Sequence, residues 1–426
     1  MGTKHHSSYK SRTLIIFIPA LLSFLTYTFL LVLMSFLKGK EIVFFLCDKN
    51  IWLSSIVFLL SSIALLIILH EFFSSFIKTK GSDTSNVRLL FYSVIMTLFF
   101  MEIVLHLLKI NATPSENKGM NNYYSFFKPK SKGYFWVYSA NAEISYQNNE
   151  FSYHRKTNSL GFCDREPVLT KKNNEFRILC LGDSYTEGVG TSFDSSWVRQ
   201  TDSLLNKHSD CLYTLINAGV SGSDPFYEYM LLKEKLLIYK PDLVIININD
   251  NDLDDITIRG GMERFKSNGK VEYMPNPPWE WLYVTSYLFR IIIRDVLHYD
   301  MSLIKMRDRE RLKREAIDKI YVLLDKYNEL AVKNHFRVLL TIFPMWVNIQ
   351  SNDEPLERLV TNYKMPSNIS VISMLTYLTK TENINAKNVL DYYWFHDCHP
   401  NGKGYAAFAR GLALKLATMK MVNKAK

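Results

Sequence analysis

The sequence predicts an α/β domain built on a parallel sheet and preceded by three transmembrane helices. Three observations carry this prediction. The first 110 of the 426 residues hold three long apolar runs, and beyond residue 172 short apolar runs alternate with helical patterns. Clusters of Gly, Asp, Ser and Asn stand where several of those runs end. A content of 48% hydrophobic and 22% charged residues excludes a disordered chain, and the length allows roughly two or three domains.

Residues 13–37 carry no charge over 25 positions, which at a rise of about 1.5 Å per residue exceeds a hydrocarbon core of about 30 Å. That run is too long for the apolar part of a cleaved signal peptide and lacks its small-residue site. Residues 51–69 form a second uncharged run, and residues 89–110 a third that carries Glu102, His106 and Lys109 toward its end. Lys4, Lys10 and Arg12 precede the first run, and Lys78, Lys80 and Arg88 lie between the second and third, against Lys38, Lys40 and Lys49 in the first loop. Basic loops stay cytoplasmic, so this bias predicts a cytoplasmic N-terminus and, across three spans, an external C-terminal domain. Glu102 and His106 fall four apart on one helical face near the end of the third run, within reach of lipid headgroups.

Residues 111–172 are polar and aromatic with few helix signals and read as a lead-in segment that docks on the domain after it. From residue 173 to 426 the elements alternate. Residues 177–181 read as a strand, 195–205 as a helix, 212–216 as a strand, and 229–239 as a helix closed by Pro241. Residues 243–248 and 338–343 are further buried strands; apolar strands separated by helices imply a parallel sheet covered on both faces. Ile317, Ile320, Leu324, Tyr327 and Ala331 mark the apolar stripe of a helix before the last of them. An insertion at about 259–310 contains a hairpin signal at Asn268-Gly269 and, after Pro275 to Pro278, an aromatic-rich helix expected over 279–299.

The chemistry concentrates at strand ends. The first strand runs into Gly182-Asp183-Ser184-Tyr185-Thr186-Glu187-Gly188. A serine on such a turn presents its hydroxyl at the carboxyl edge of the sheet, where ligands of open parallel sheets collect. The second strand ends in Asn217-Ala-Gly-Val-Ser-Gly222, the third in Asn249-Asp-Asn251-Asp252, and Asp397-Cys-His399-Pro400-Asn401 stands near the C-terminus. Five cysteines, Cys47, Cys163, Cys180, Cys211 and Cys398, show no CxxC pair, so neither a disulfide framework nor a structural zinc is expected. No cofactor is called for.

These four motifs, in this order over roughly residues 176–413, resemble the SGNH/GDSL hydrolase family. The resemblance implies a flavodoxin-like three-layer α/β/α domain. It also implies Ser184 as nucleophile, His399 as base, and an oxyanion hole formed by the N–H of Ser184, the N–H of Gly222 and the side chain of Asn251. Asn249 stands where the family has a glycine, so a register on Asn247-Ile-Asn249-Asp250 fits with the same substitution. The family's orienting acid stands three residues before the histidine, where this chain has His396. Asp397, two residues before, is the candidate acid; a backbone carbonyl orienting the ring is the alternative. Cys398 reads as a packing residue.

A serine and histidine with oxyanion donors suit acyl transfer. The family implies an esterase or deacetylase; on an external, membrane-tethered domain its partners are the lipid bilayer and an acylated glycan or lipid of the cell envelope. Two alternatives are an O-acyltransferase fed by an acyl-donor membrane protein, and a catalytically silent binding or scaffold protein. The net charge of +10 comes without a nucleic-acid recognition motif, and basic residues beside a membrane meet anionic headgroups.

Overall fold

A computed structural model describes residues 93–94, 97–98, 100–102, 104–105 and 108, then 127–130 and 135–418 except 208, 210, 270, 272–276, 278, 280–282, 284–285, 300–303, 358 and 360–363. The apolar runs at 13–37 and 51–69, His106 and most of the 89–110 run lie outside the described residues. Among the described residues no helix is long and apolar enough to cross a membrane. The chain forms two compact units, Met1–Asn121 with Pro275–Arg309, and Asn122–Met274 with Glu310–Lys426.

The larger unit opens with two antiparallel hairpins, β1 (Phe127–Lys130) with β2 (Phe135–Tyr138) and β3 (Glu143–Gln147) with β4 (Ser152–Lys156). It continues with β5 (Glu175–Gly182), α1 (Ser184–Glu187), α2 (Trp197–Asn206), β6 (Leu212–Asn217), α3 (Pro225–Leu231), β7 (Leu243–Ile248) and α4 (Asp250–Arg259). After the insertion come α6 (Met306–Asn334), β8 (Arg337–Ile342), α7 (Trp346–Ser351), β9 (Ile369–Ser373), α8 (Leu375–Lys380) and α9 (Gly402–Thr418). The five long-range strands form one parallel sheet in the order β6-β5-β7-β8-β9. Chain direction across the sheet reverses between β5 and β7, and such a switch point opens a crevice at the strands' carboxyl ends.

Successive side chains of a strand point to opposite faces, so a strand buried on both sides feeds two cores. On one face lie Leu179, Leu181, Val244, Ile246, Val338 and Leu340, covered by α3, α4 and the Ile317–Ala331 stripe of α6. On the other lie Ile178, Cys180, Leu243, Ile245 and Leu339, covered by Trp197 of α2, Leu378 of α8 and Phe408 and Leu412 of α9. The larger unit is therefore a three-layer α/β/α domain, its parallel sheet covered on both faces as the periodicity predicts.

Several boundaries differ from the sequence expectation. α3 starts at Pro225 rather than Tyr229, because Asp224 accepts the N–H groups of Phe226 and Tyr227 and Pro225 suits the first turn. A π-turn over Leu232–Leu236 and a 3₁₀ turn over Leu237–Tyr239 follow it. α6 begins about three turns before its apolar stripe, and the fifth strand, β9, was not expected. The Asn268-Gly269 turn is closed by a single bridge between Phe265 and Val271, without a ladder among the described residues.

In the smaller unit, within the aromatic helix expected over 279–299, Tyr283 is helical, Ser286 is not, and α5 covers Tyr287–Ile291 and passes into a π-turn over Ile292–Val296. Its first turn is held by Glu102, whose carboxylate accepts the Ser286 hydroxyl at 2.8 Å and the N–H groups of Tyr287 and Leu288 at 2.7 and 2.9 Å. Glu102 thus satisfies donors that a helix start leaves open.

Candidate active site

The nucleophile candidate sits at the switch point. β5 is entirely buried and ends at Gly182, where a Cβ would stand 2.1 Å from Thr186 Oγ1 and 2.9 Å from Asn247 O. Only glycine lets β7 and α1 approach the chain so closely there. Asp183 then caps α1, accepting the Tyr185 N–H at 2.9 Å, and Ser184 opens the helix half-buried.

The C-terminal loop comes back to the same point. Ser184 Oγ lies 2.7 Å from His399 Nε2, and His399 Nδ1 lies 2.5 Å from Asp397 Oδ1. Acid and base stand only two residues apart, and Cys398 between them takes the left-handed region with φ +69°. The turn is held by the Tyr185 hydroxyl donating to Cys398 O at 3.0 Å, by Cys398 N–H on Trp394 O at 3.0 Å, and by Trp394 N–H on His399 O at 2.9 Å. The Tyr185 ring packs against the imidazole with centroids 5.3 Å apart. Asn401 starts α9 by accepting the N–H groups of Lys403 and Gly404, which ends the loop.

The two other motifs converge on α1. Asn217 accepts the Gly219 N–H and donates to Thr186 O, both at 2.9 Å, and Val220 N–H binds Gly182 O at 2.9 Å. This folds the loop after β6 onto the nucleophile turn. Gly222 stands exposed at the tip with φ +72°. Its carbonyl accepts Arg259 Nη1 at 2.7 Å, which pins the peptide.

After β7 the two asparagines divide their work. Asn249 is fully buried, caps α4 by accepting the Asn251 N–H at 3.1 Å, and completes a capping box by donating its own N–H to the Asp252 carboxylate at 2.9 Å. Asn251 is half-buried. Both amides donate to one oxygen of Asp183, at 3.2 Å from Asn249 and 3.1 Å from Asn251. Behind them, burial pushes the Glu228 and Asp252 carboxyls well up, and the negative charge of Asp183 pushes both further. Among the described residues no cluster of three or more His, Cys, Asp or Glu side chains is arranged to hold a metal ion.

Ser184, His399 and Asp397 are thus in line; Gly222 stands on the loop after β6 and Asn251 in the first turn of α4. Residues 180–407, more than half of the chain, match the model of the GDSL-like lipase/acylhydrolase family. The chain belongs to that family. No curated protein sequence matches this GDSL-like chain. Among solved structures it is similar to a two-domain esterase active on acetylated mannans (15% identity, TM-score 0.33, covering 59% of this chain and 52% of that one). It is also similar to a lipase from a goat rumen metagenome (17%, 0.37, 57% and 97%) and an esterase from Pseudoalteromonas sp. (16%, 0.33, 58% and 99%). The GDSL-like chain spans about half the length of the mannan esterase.

Sequence reasoning passed over Asn148 and Glu150, which lie in the lead-in segment. Glu150 accepts the N–H groups of His396 and Asp397, and Asn148 donates to Asp397 Oδ2 at 3.2 Å. The only local signal for them is the Asn148-Asn149 turn between two alternating runs, which marks a hairpin but not its partner.

Proposed function

We propose that the protein is a membrane-anchored serine esterase that removes O-acyl groups from glycans or lipids of the cell envelope through an acyl-enzyme. The observation that carries this reading is the hydrogen-bonded line from Ser184 Oγ to His399 Nε2 at 2.7 Å and from His399 Nδ1 to Asp397 Oδ1 at 2.5 Å. Ser184 Oγ attacks the ester carbonyl carbon while His399 Nε2 takes its proton, and Asp397 steadies the imidazolium. The developing oxyanion is met by the N–H groups of Ser184 and Gly222 and the amide of Asn251. Asn251 suits this role better than Asn249, because it is half-buried while Asn249 is buried and engaged as a cap. His399 returns the proton to the leaving alcohol, and water repeats the sequence on the acyl-enzyme.

The membrane anchor and the external catalytic domain rest on the three apolar runs and the six-to-three basic bias. The test is turnover of p-nitrophenyl acetate by the full chain in detergent, with acetate release from an acetylated polysaccharide as the second readout. Ser184→Ala and His399→Ala should each abolish turnover, and their double mutant should be hardly slower. Full activity in Ser184→Ala overturns Ser184 as the nucleophile, and a wild-type chain inert on every acyl ester sinks the enzymatic reading and favours a binding protein. Acyl transfer that depends on an added glycan acceptor replaces hydrolysis with O-acyl transfer.

A further inference from the structure

Asp397 and His399 are separated by one residue, and the acid reaches the ring because Cys398 adopts the left-handed region at φ +69°. That backbone is disfavoured for a residue with a Cβ, so the surroundings must hold the loop in place. The bonds within the loop and from Tyr185 fix the carbonyls of residues 394, 398 and 399. They leave the N–H groups of residues 396 and 397 and the second carboxylate oxygen of Asp397 to be held from elsewhere.

The β3–β4 hairpin supplies those contacts. Glu150 takes the His396 N–H at 3.0 and 3.1 Å with its two oxygens and the Asp397 N–H at 2.8 Å. Asn148 donates its amide to Asp397 Oδ2 at 3.2 Å, the oxygen turned away from the histidine. The same Asn148 builds the tip, its Oδ1 accepting the N–H groups of Glu150 and Phe151 at 2.9 and 2.8 Å. Phe151 packs on Trp394, the residue that opens the loop, with centroids 5.4 Å apart. At the hairpin's other end Arg155, buried, donates to the carbonyls of Glu187, Gly188 and Thr191 just after the nucleophile's helix. One ladder therefore ties the acid's loop to the nucleophile's turn.

We propose that the β3–β4 hairpin is a positioning device for the reaction, in which Glu150 and Asn148 set Asp397 against His399. This rests on the Ser184–His399–Asp397 reading of the site. The acid is pinned at its backbone and at its far oxygen, so its near oxygen has one place left to point. Neither residue touches the reacting atoms; both act through Asp397.

The test uses the full chain in detergent. Glu150→Ala should lower kcat by about 10–100-fold with KM nearly unchanged, the scale expected for misplacing a catalytic group. Glu150→Gln, which keeps one acceptor oxygen, should recover most of that loss. In an Asp397→Asn background Glu150→Ala should cost less than about two-fold, because the interaction it serves is already gone. The titration midpoint of the His399 ring, followed by NMR, should move in Glu150→Ala and Asn148→Ala toward its position in Asp397→Asn. A loss as large in the Asp397→Asn background as alone, or a His399 midpoint that stays where it is in wild type, overturns the proposal. The midpoint needs no turnover, so it decides the positioning role even if no ester is cleaved and the enzymatic reading falls.

Discussion

Glu187, the last residue of the nucleophile's helix, accepts both the N–H and the hydroxyl of Ser221, at 3.0 and 2.6 Å. Its other oxygen accepts the Tyr138 hydroxyl at 3.2 Å and lies 3.8 Å from Arg155, each side chain of that ion pair being 1% exposed. Ser221 immediately precedes Gly222, so one buried carboxylate couples the helix of Ser184 to the loop that carries Gly222. Glu187→Ala should destabilise the fold by about 3–5 kcal/mol, the scale for removing one partner of a buried ion pair. It should also lower kcat through the loosened Gly222 turn. Thermal melting and ester turnover check both; a variant that melts with wild type would contradict the assigned coupling.

Asn249 and Asn251 share an acceptor on Asp183 but should fail differently. Asn251→Ala should lower kcat by about 10²–10³-fold, the usual loss for one oxyanion donor, with little change in melting. Asn249→Ala should cost about 1 kcal/mol of stability as a lost helix cap and a smaller part of kcat. Paired measurement of melting and kcat separates them, and a reversed pattern assigns the donor to Asn249.

Glu354 gives a pH signature that is independent of catalysis. It is buried, one oxygen accepts only the Leu356 N–H at 3.2 Å, and the other has no partner among the described residues. Burial pushes its carboxyl up to about 8, against about 4.3 for a solvated glutamate. The folded state then holds a proton that the unfolded chain has released. Its stability contribution is full below about pH 4.3 and is lost as pH rises toward about 8, at about 1.4 kcal/mol per unit of separation. Melting temperatures should fall between pH 5 and 8, and Glu354→Gln, which keeps the Leu356 bond, should flatten that fall. An unchanged slope in the variant would refute the assignment.

How much of the molecule is legible in the sequence depends on the range over which each feature is determined. β5, β7 and β8 each hold a stretch of four or more apolar or nearly apolar residues because both their faces are covered, so composition marks them. β9 is an edge strand in which only Ile369 and Ile372 are buried, and Ile-Ser-Val-Ile-Ser carries too weak a pattern to stand out. The first turns of α6, Met-Arg-Asp-Arg-Glu-Arg, have no apolar stripe, which hid its start. Ser184 and His399 were found because short motifs travel with them. Glu150 was not found because its bond to His396 joins residues 246 positions apart, and no local pattern encodes such a partner.

The family match begins at Cys180, inside β5, whereas the hairpin that holds the acid's loop spans Glu143 to Lys156. A fragment trimmed to the matched residues would keep Ser184, Asp397 and His399 and still lose their brace, along with the first five residues of β5. A minimal fragment that keeps the site intact therefore has to be cut upstream of the hairpins, near residue 122 where the larger unit starts. Residues that read in the sequence as a lead-in segment carry, for anyone dissecting this chain, the contacts that hold the Asp397 loop.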